Sequence, residues 1–408
     1  MSRTVEESHR LAREARSTSR IDWVVRDLPV ETGSWAYAGS GTRFKVFAQT
    51  GAPRNPFEKL EDAAAVARFT GIARTIGLHI PWDRVDDFTE LAASAAALGI
   101  RIGAINSNTF QDDDYMLGSV CHPDLRVRMK AVSHLLECCE IAARTGSSIV
   151  KVWLGDGTNY PGQDDFRARR RRLIECLREV YPALPAGARL LLEYKFYEPA
   201  FYQTDVQDWG QALSVCERIG DRAQVCVDIG HHAMGVNVEQ IVAILLQEGR
   251  LGGFDLNDKK YGDDDLMVGS IDPYQLFRIC HELDKALDDR DERDTARCAS
   301  EMVYMIDQSH NIEPKVPAVV RSVMNLQESF AKAALVDRER LRDAQARGDV
   351  LEANQTLRDA FETDVRPLLA RCRTEAGLPA DGYRAYLASG EAQRRSLARR
   401  DGQPSRQQ

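Results

Sequence analysis

The sequence predicts a parallel (β/α)8 barrel with a helical segment before it and a helical extension after it. Eight short apolar runs alternate with amphipathic helical patterns between residues 33 and 336, which is the order of elements in an α/β barrel. Several helical patterns end at glycine, the usual residue just beyond a helix C-terminus. A doubly wound sheet is the alternative, but the glycine-rich phosphate turn that it would need is missing from the sequence.

The order of elements divides the chain into four parts. They are a charged helical segment (1–32), the barrel (33–336), a helical extension (337–393) and a polar tail predicted to be disordered (394–408). The predicted strands are 33–39, 74–80, 100–106, 147–153, 188–195, 223–229, 252–258 and 302–307. Long connections follow the first, third and seventh strands, on the face of the barrel where active sites lie.

Composition favours a globular protein of the cytoplasm that acts on a small molecule. The 408 residues are 43% hydrophobic and 28% charged. A net charge of −8 argues against nucleic-acid binding. No run of 18 apolar residues occurs, so no membrane span is predicted. The nine cysteines include no C-x-x-C pair, which favours free thiols in a reducing compartment.

One stretch, VDIGHHAMGVN (227–237), places a carboxylate and an imidazole close together. Asp228 lies near the end of a strand that the apolar, β-branched pattern predicts to be buried, and His231 follows three residues later. A buried aspartate is costly unless something neutralises it, and a metal cation would do so. The alternative is an aspartate that caps the next helix, followed by histidines on a polar turn.

Other acidic residues follow the same pattern at neighbouring strand ends. Asp255 and Asp307 each interrupt an apolar strand. Glu193 and Lys195 are two residues apart on a strand, so both face the barrel interior and Tyr194 faces away. An ion pair between Glu193 and Lys195 is the alternative explanation of these two.

Together these residues form a candidate set for two divalent cations that share a bridging carboxylate. Asp263 and Asp265, two apart in YGDDDLM, reach the same side if their loop is extended, although such a run is also typical of a solvated turn. Neighbouring carboxylates repel one another strongly unless cations lie among them. The oxygen-rich composition favours Mn²⁺ or Mg²⁺, with Co²⁺ also suitable. The set is Glu193, Asp228, His231, Asp255, Asp263, Asp265 and Asp307.

The motifs at the strand ends resemble those of the bacterial L-rhamnose isomerases, which belong to the superfamily of metal-dependent sugar isomerases. The matching motifs are LHIPWD (78–83), NSNTF (106–110), VWLGDGTNYPGQ (152–163), YEPAFYQTDVQDWG (197–210), VDIGHH (227–232), NDKKYGDDDL (257–266) and MIDQSHN (305–311). The match that includes these motifs extends over most of residues 30–370. The resemblance implies a (β/α)8 barrel, two divalent metals per subunit, usually Mn²⁺, a homotetramer, and interconversion of aldoses and ketoses.

The resemblance also implies a role for each matching residue. It assigns one metal to Glu193, Asp228, Asp255 and Asp307, and the second to His231, Asp263 and Asp265, with Asp228 as the bridge. We expect Asp307 to be a catalytic residue as well as a metal ligand. The other roles are Lys195 near the substrate carbonyl oxygen, His79 in ring opening with Asp83 beside the sugar, Trp35 and Trp153 as aromatic walls, and Phe44 reaching a neighbouring subunit's site. Without the resemblance, packing explains the tryptophans and His79 equally well.

One departure from the family pattern affects the metal site. L-rhamnose isomerases carry histidine where this chain has Asp255, whereas xylose isomerases carry aspartate there. The sequence thus predicts a more anionic site, with substrate preference left open. The expected function is an aldose–ketose isomerase that moves a hydrogen between C1 and C2 of an open-chain sugar, with L-rhamnose to L-rhamnulose as the first candidate. The alternatives are an epimerase, another isomerase of the superfamily, or a sugar-binding relative with altered catalysis.

Overall fold

Eight parallel strands close into a barrel in sequence order, which confirms the predicted fold class. The structure is a computed structural model that describes residues 5–39, 47, 49–197, 204–309 and 312–399, with side chains from residue 14 onward. The strands are β1 (Val30–Gly33), β2 (Thr75–Ile80), β3 (Arg101–Ser107), β4 (Ile149–Trp153), β5 (Arg189–Glu193), β6 (Ala223–Asp228), β7 (Leu251–Leu256) and β8 (Tyr304–Ile306).

Helices surround the barrel and continue beyond its last strand. One helix, α1 (Val5–Arg26), precedes β1. Those between strands are α2 (Pro56–Thr70), α3 (Phe88–Ala97), α4 (Leu125–Thr145), α5 (Phe166–Val180), α6 (Trp209–Ile219), α7 (Val238–Gln247), α8 (Pro273–Leu287) and α9 (Arg293–Ser300). After β8 come α10 (Lys315–Ala334), α11 (Arg338–Ala346), α12 (Val350–Glu362), α13 (Arg366–Glu375), α14 (Gly382–Ala388) and α15 (Glu391–Ala398).

Aspartate and asparagine side chains begin the helices that follow most strands. Each accepts a hydrogen bond from a backbone N–H in the first turn of its helix, where these groups lack partners within the helix. These N-caps are Asn55, Asp87, Asp124, Asp165, Asp208, Asn237 and Asp272. They fix the point where each loop ends at the carboxyl-terminal mouth of the barrel.

The first strand lies earlier in the chain than predicted. It was expected at 33–39, but β1 spans Val30–Gly33, and Ser34–Ala36 form a 3₁₀ turn. Glu31 pairs in register with Thr75 of β2 and Met305 of β8. The apolar pattern placed β1 too late because the interior position of this short strand carries a glutamate. The more apolar segment that follows forms a turn. The predicted boundary at residue 32 therefore falls inside β1.

Two layers of different chemistry fill the barrel interior. Ala104, Ile149, Leu191 and Cys226 form a small buried apolar cluster of their own. Two residues further along the same strands, and thus on the same face, stand Asn106, Lys151, Glu193 and Asp228. Along β3 to β6 the apolar layer therefore lies towards the amino-terminal side, and the polar layer lies towards the mouth.

The helices after β8 pack back on the barrel. The central one, α10, contacts α1, α2 and α8. Residues 394–398, predicted to belong to a disordered tail, are helical in α15, and Arg399 bonds to Asp62 of α2. This contact holds the end of the described chain against α2. Residues 400–408 lie outside the described part.

No helix among the described residues is both long and apolar enough to cross a bilayer, as the sequence predicted. All nine cysteines are buried and free of disulfides.

Candidate metal centre

Four carboxylates, three buried and one partly exposed, meet at the ends of adjacent strands at the mouth of the barrel. Each offers an oxygen, and these oxygens all lie within 4.8 Å of one another. We call this group the carboxylate cage; its members are Glu193, Asp228, Asp255 and Asp307. The structure thus brings together all four residues that the sequence assigned to one ion, because β5 to β8 are consecutive neighbours in the barrel.

The hydrogen bonds of Asp228 leave one of its oxygens directed into the site. Its Oδ1 accepts from the backbone N–H of Gly230 at 2.6 Å and from Nδ2 of Asn257 at 2.9 Å. Its Oδ2 is buried and has no hydrogen-bond partner among the described residues. An unsatisfied buried carboxylate oxygen is costly, and a cation in the cage would satisfy it.

Burial and mutual repulsion raise the pKa values of Glu193, Asp228 and Asp307. Burial, followed by Asp255, raises the pKa of Glu193 well above its ordinary value. Burial, followed by Asp263, does the same to the pKa of Asp228. The pKa of Asp307 rises to about 7, through burial and then Asp255. Such shifts are expected where several carboxylates share a dry site, and the Lys151 ammonium offsets those of Glu193 and Asp307 only in part.

The imidazole of His231 is held so that one ring nitrogen faces the carboxylates. Its Nδ1 lies 3.0 Å from the carbonyl oxygen of Tyr194, which fixes the proton on that nitrogen. Its Nε2 lies 3.6 Å from Oδ2 of Asp228 and 3.6 Å from Oδ2 of Asp263. Burial lowers the pKa of His231, so the ring is neutral and its Nε2 lone pair suits a metal.

The residues predicted for a second ion are gathered less tightly. Oδ2 of Asp263 accepts from Nζ of Lys195 at 2.7 Å. Although burial opposes it, His231 and Lys195 lower the pKa of Asp263, whereas burial and Asp263 raise the pKa of Asp265. Asp265 has a left-handed backbone with φ of 48°, a conformation that aspartate tolerates better than most residues. Among the described residues, the groups with ligand atoms within 4.8 Å of one another include His231 with Glu193 and Asp228 but neither Asp263 nor Asp265.

Aromatic rings form one side of the mouth, next to the cage. His79 stacks on Trp82 with ring centroids 3.7 Å apart, and Trp35 meets His79 edge-on at 5.8 Å. Phe110 packs edge-on against Trp153 at 4.6 Å. Trp35 does more than form a wall, because its Nε1 donates to Oδ1 of Asp307 at 2.6 Å.

Two predicted substrate residues do not join this wall. Asp83 is fully buried and accepts from Ser34 Oγ, from Lys59 Nζ at 2.5 Å and from the backbone N–H of His79 at 2.7 Å. These three donors occupy its oxygens and hold the loop after β2 in place, whereas a contact with sugar stays a prediction. Phe44 lies outside the described residues.

Two charged residues of the barrel interior were absent from the predicted site. Lys151 on β4 donates from Nζ to Oδ1 of Asp255, and this interaction raises the lysine pKa although burial opposes it. Glu31 on β1 is buried as well. Lys151 interrupts the run SSIVKVW just as Asp255 interrupts its own strand, so the same signal was present. Glu31 was missed because β1 was placed too late.

Comparisons with known proteins agree with this architecture. Residues 61–291 match the family model described as "Xylose isomerase-like TIM barrel". A protein of Rhizobium meliloti (strain 1021) named "Probable sugar isomerase" is 42% identical over 393 residues, covering 93% of this chain and 90% of the relative. A protein of the same description from Mesorhizobium japonicum is 43% identical over 387 residues, covering 93% of this chain and 88% of the relative.

Solved structures show the same fold at low sequence identity. A 3-keto-D-glucoside 4-epimerase from E. coli is 15% identical with a TM-score of 0.50, over 75% of this chain and 99% of its own. A D-psicose 3-epimerase from Clostridium cellulolyticum H10 is 14% identical with a TM-score of 0.50, over 76% and 99%. The family match and the two close relatives together establish that this chain belongs to the xylose isomerase-like TIM barrel family.

Proposed function

We propose that this protein is an aldose–ketose isomerase that depends on divalent metal and acts on an open-chain sugar, with L-rhamnose as the first substrate to test. The observation that supports this most directly is the carboxylate cage, whose oxygens lie within 4.8 Å of one another. Two relatives above 40% identity carry the name of sugar isomerases. The strand-end motifs resemble those of L-rhamnose isomerases, which makes L-rhamnose the first candidate sugar.

The residues of the cage fit a hard divalent cation such as Mn²⁺. The donors are carboxylate oxygens with one neutral imidazole beside them, which suits Mn²⁺, Mg²⁺ or Co²⁺ better than a thiolate-bound metal. Cys226 is near the cage, but burial raises its pKa well above the ordinary value, so it stays a thiol. When bound, the cations would polarise a sugar oxygen and stabilise negative charge on it. We propose two ions, the second at His231 with Asp263 and Asp265.

His79 is suited to move a proton during ring opening. Burial lowers its pKa well below the ordinary value, so the imidazole is neutral. Its Nδ1 is buried without a hydrogen-bond partner among the described residues, which leaves that nitrogen available to a sugar hydroxyl. A neutral imidazole can take the proton of the anomeric hydroxyl and return one to the ring oxygen. Stacking on Trp82 fixes the orientation of the ring.

Lys195 supplies a positive charge next to the proposed second ion. Its ammonium group is buried, bonds to Asp263 and lies 5.5 Å from the centroid of the Trp153 ring. Held between a carboxylate and an aromatic face, it is positioned to stabilise charge on a sugar carbonyl oxygen. The aromatic ring covers the apolar face of a sugar chain, which orients it over the cage.

The proposal is tested by assaying metal-stripped protein with a panel of aldoses that includes L-rhamnose. We expect ketose formation only after Mn²⁺ is added, measured by chromatography of the products. Asp228→Asn should lower kcat/KM by about 100-fold or more, because it removes the ligand shared by both ions. Asp221→Asn is the matched control, since Asp221 precedes the same strand but is exposed.

Product identity separates this function from its rivals. An epimer in place of a ketose would favour an epimerase, and sugar binding without turnover would favour a binding protein. Full activity after exhaustive chelation would contradict the proposal.

We also propose a homotetramer in the cytoplasm. The tetramer follows from the resemblance to L-rhamnose isomerases, and nine buried free thiols suit a reducing compartment. Light scattering of the purified protein gives the oligomeric state directly.

A further inference from the structure

We propose that Lys151 is the internal counter-ion of the carboxylate cage, and that it limits how tightly the cage holds a divalent cation. This inference rests on the metal site proposed above. It assigns a positioning role to a residue that touches Asp255 and not the substrate.

The position of Lys151 is unusual for a lysine. It lies in the middle of β4 and is 5% exposed. Its Nζ donates to Oδ1 of Asp255 and lies 3.9 Å from Sδ of Met305. Since β4 and β7 are separated by β5 and β6 in the barrel, the side chain crosses the interior to reach its partner.

This contact changes what Asp255 can offer to a cation. One carboxylate oxygen is taken by the ammonium group, so only the other is available to the cage. Asp255 is therefore restricted to a single-oxygen contact, as are Asp228 and Asp307, each of which also has one oxygen engaged in hydrogen bonds.

The same contact changes the charge of the cage. When all four carboxyl groups are ionised, as cation binding requires, the cage carries four negative charges, and the ammonium group reduces the total to three. A lysine charge a few ångströms from a bound dication repels it, because the dry interior screens charges weakly. In the metal-free protein the lysine instead relieves the repulsion among the carboxylates. Lys151 should therefore stabilise the empty site and weaken metal binding.

The test is Lys151→Met, which keeps the length of the side chain and removes its charge. We expect the dissociation constant for Mn²⁺, measured by competition with a chelator, to fall by about 10-fold or more. We expect the melting temperature of the metal-free variant to drop, and the increase in melting temperature on adding Mn²⁺ to grow. Lys151→Gln should change the dissociation constant and the melting temperatures in the same directions. It therefore provides the test if the methionine variant does not fold.

Lys59→Met is the matched control. Lys59 is likewise a buried lysine paired with a buried aspartate, but its partner is Asp83, outside the cage. It should lower the melting temperature without changing the dissociation constant for Mn²⁺. The double variant Lys151→Met/Asp255→Asn removes one charge of each sign, so its dissociation constant should return to within about threefold of the wild-type value.

The outcomes separate the two proposals. Wild-type protein that binds no Mn²⁺ would overturn the metal site and this inference together. Wild-type binding with an unchanged or larger dissociation constant in both Lys151 variants would overturn this inference alone.

Discussion

Buried carboxyl groups of the barrel interior differ in what compensates for their burial. In the cage, an oxygen of Asp228 is left for a cation. Glu31 lies outside the cage, where its Oε2 accepts from the backbone N–H of Ala104 at 2.9 Å. Burial raises the pKa of Glu31 to about 7, and Lys151 only partly offsets this. A buried carboxyl group is therefore suited to a metal in the cage and to a proton at Glu31.

Glu31→Gln tests the proton on Glu31. Because its pKa rises from 4.5 to about 7 on folding, the folded protein holds this proton more tightly. The associated stability is complete below about pH 4.5 and is lost as the pH rises through 7, a difference of about 3 kcal/mol. The variant is neutral throughout, so relative to wild type it should gain stability between pH 5 and pH 8. Urea unfolding with a chelator present measures this.

The exposed Glu217 on α6 provides the control for that experiment. Glu217→Gln should leave the difference between pH 5 and pH 8 as in wild type. An equal pH response of wild type and Glu31→Gln would show that Glu31 does not carry the proton.

Asp83→Asn should reduce the stability of the fold rather than the affinity for sugar. The change leaves the buried ammonium of Lys59 without its charged partner, and breaking a buried ion pair costs about 3 kcal/mol or more. The free energy of unfolding measures the loss, and Asp86→Asn, an exposed residue of the same loop, should cost less than about 0.5 kcal/mol. A normal unfolding free energy with a raised KM would instead restore Asp83 as a substrate residue.

At the scale of elements, strand and helix order could be predicted because each barrel strand after the first is an apolar run followed by a helical pattern. Seven strands lie within a few residues of their predicted positions, for example β6 at Ala223–Asp228. The first strand could not be placed, because Glu31 removes the apolar signal from it. The cage followed from the pattern, since parallel neighbours bring their carboxyl ends together. The orientation of the Asp83 side chain could not be predicted, because it depends on the geometry of the loop after β2.

Two glycines make room for Glu31 in the neighbouring strands. A Cβ on Gly77 of β2 would lie 3.0 Å from Oε1 of Glu31, and a Cβ on Gly103 of β3 would lie 1.4 Å from Oε2. Glycine weakens a strand interior unless a close approach requires it. These positions therefore show that the glutamate and the two strands fit each other.

Gly103→Ala should be strongly destabilising, by about 2 kcal/mol or more, because the carboxylate has to leave its bond with Ala104. Gly262→Ala is the control, since a Cβ there meets nothing within 4 Å. In the double variant Glu31→Ala/Gly103→Ala the clash is absent. Its loss of unfolding free energy should therefore be smaller than the sum of the losses in the two single variants. Strictly additive unfolding free energies would contradict the contact.

At the scale of the whole molecule, the helices after β8 fasten the end of the chain to its beginning. Arg373 of α13 is buried and donates to the carbonyl oxygens of Phe69, Thr70 and Pro379. The first two belong to the end of α2, where carbonyl groups lack partners within the helix. One side chain therefore completes a helix that lies some 300 residues earlier in the chain.

Arg373→Met should lower the free energy of unfolding by about 3 kcal/mol, since it leaves those buried carbonyl groups unsatisfied. Arg371→Met is the matched control, because Arg371 lies on the same helix and is exposed. Chemical denaturation measures both, and equal losses in the two variants would argue against the role of Arg373 at the end of α2.

The apolar cluster of Ala104, Ile149, Leu191 and Cys226 has a consequence for traffic through the barrel. It fills the interior of β3 to β6 on the amino-terminal side of the cage, so along these strands the cage opens only towards the mouth of the barrel. A cation and a sugar that both enter from the mouth would leave in the reverse order. A bound sugar would then lock the innermost ion in, so the ion should exchange more slowly while sugar is present.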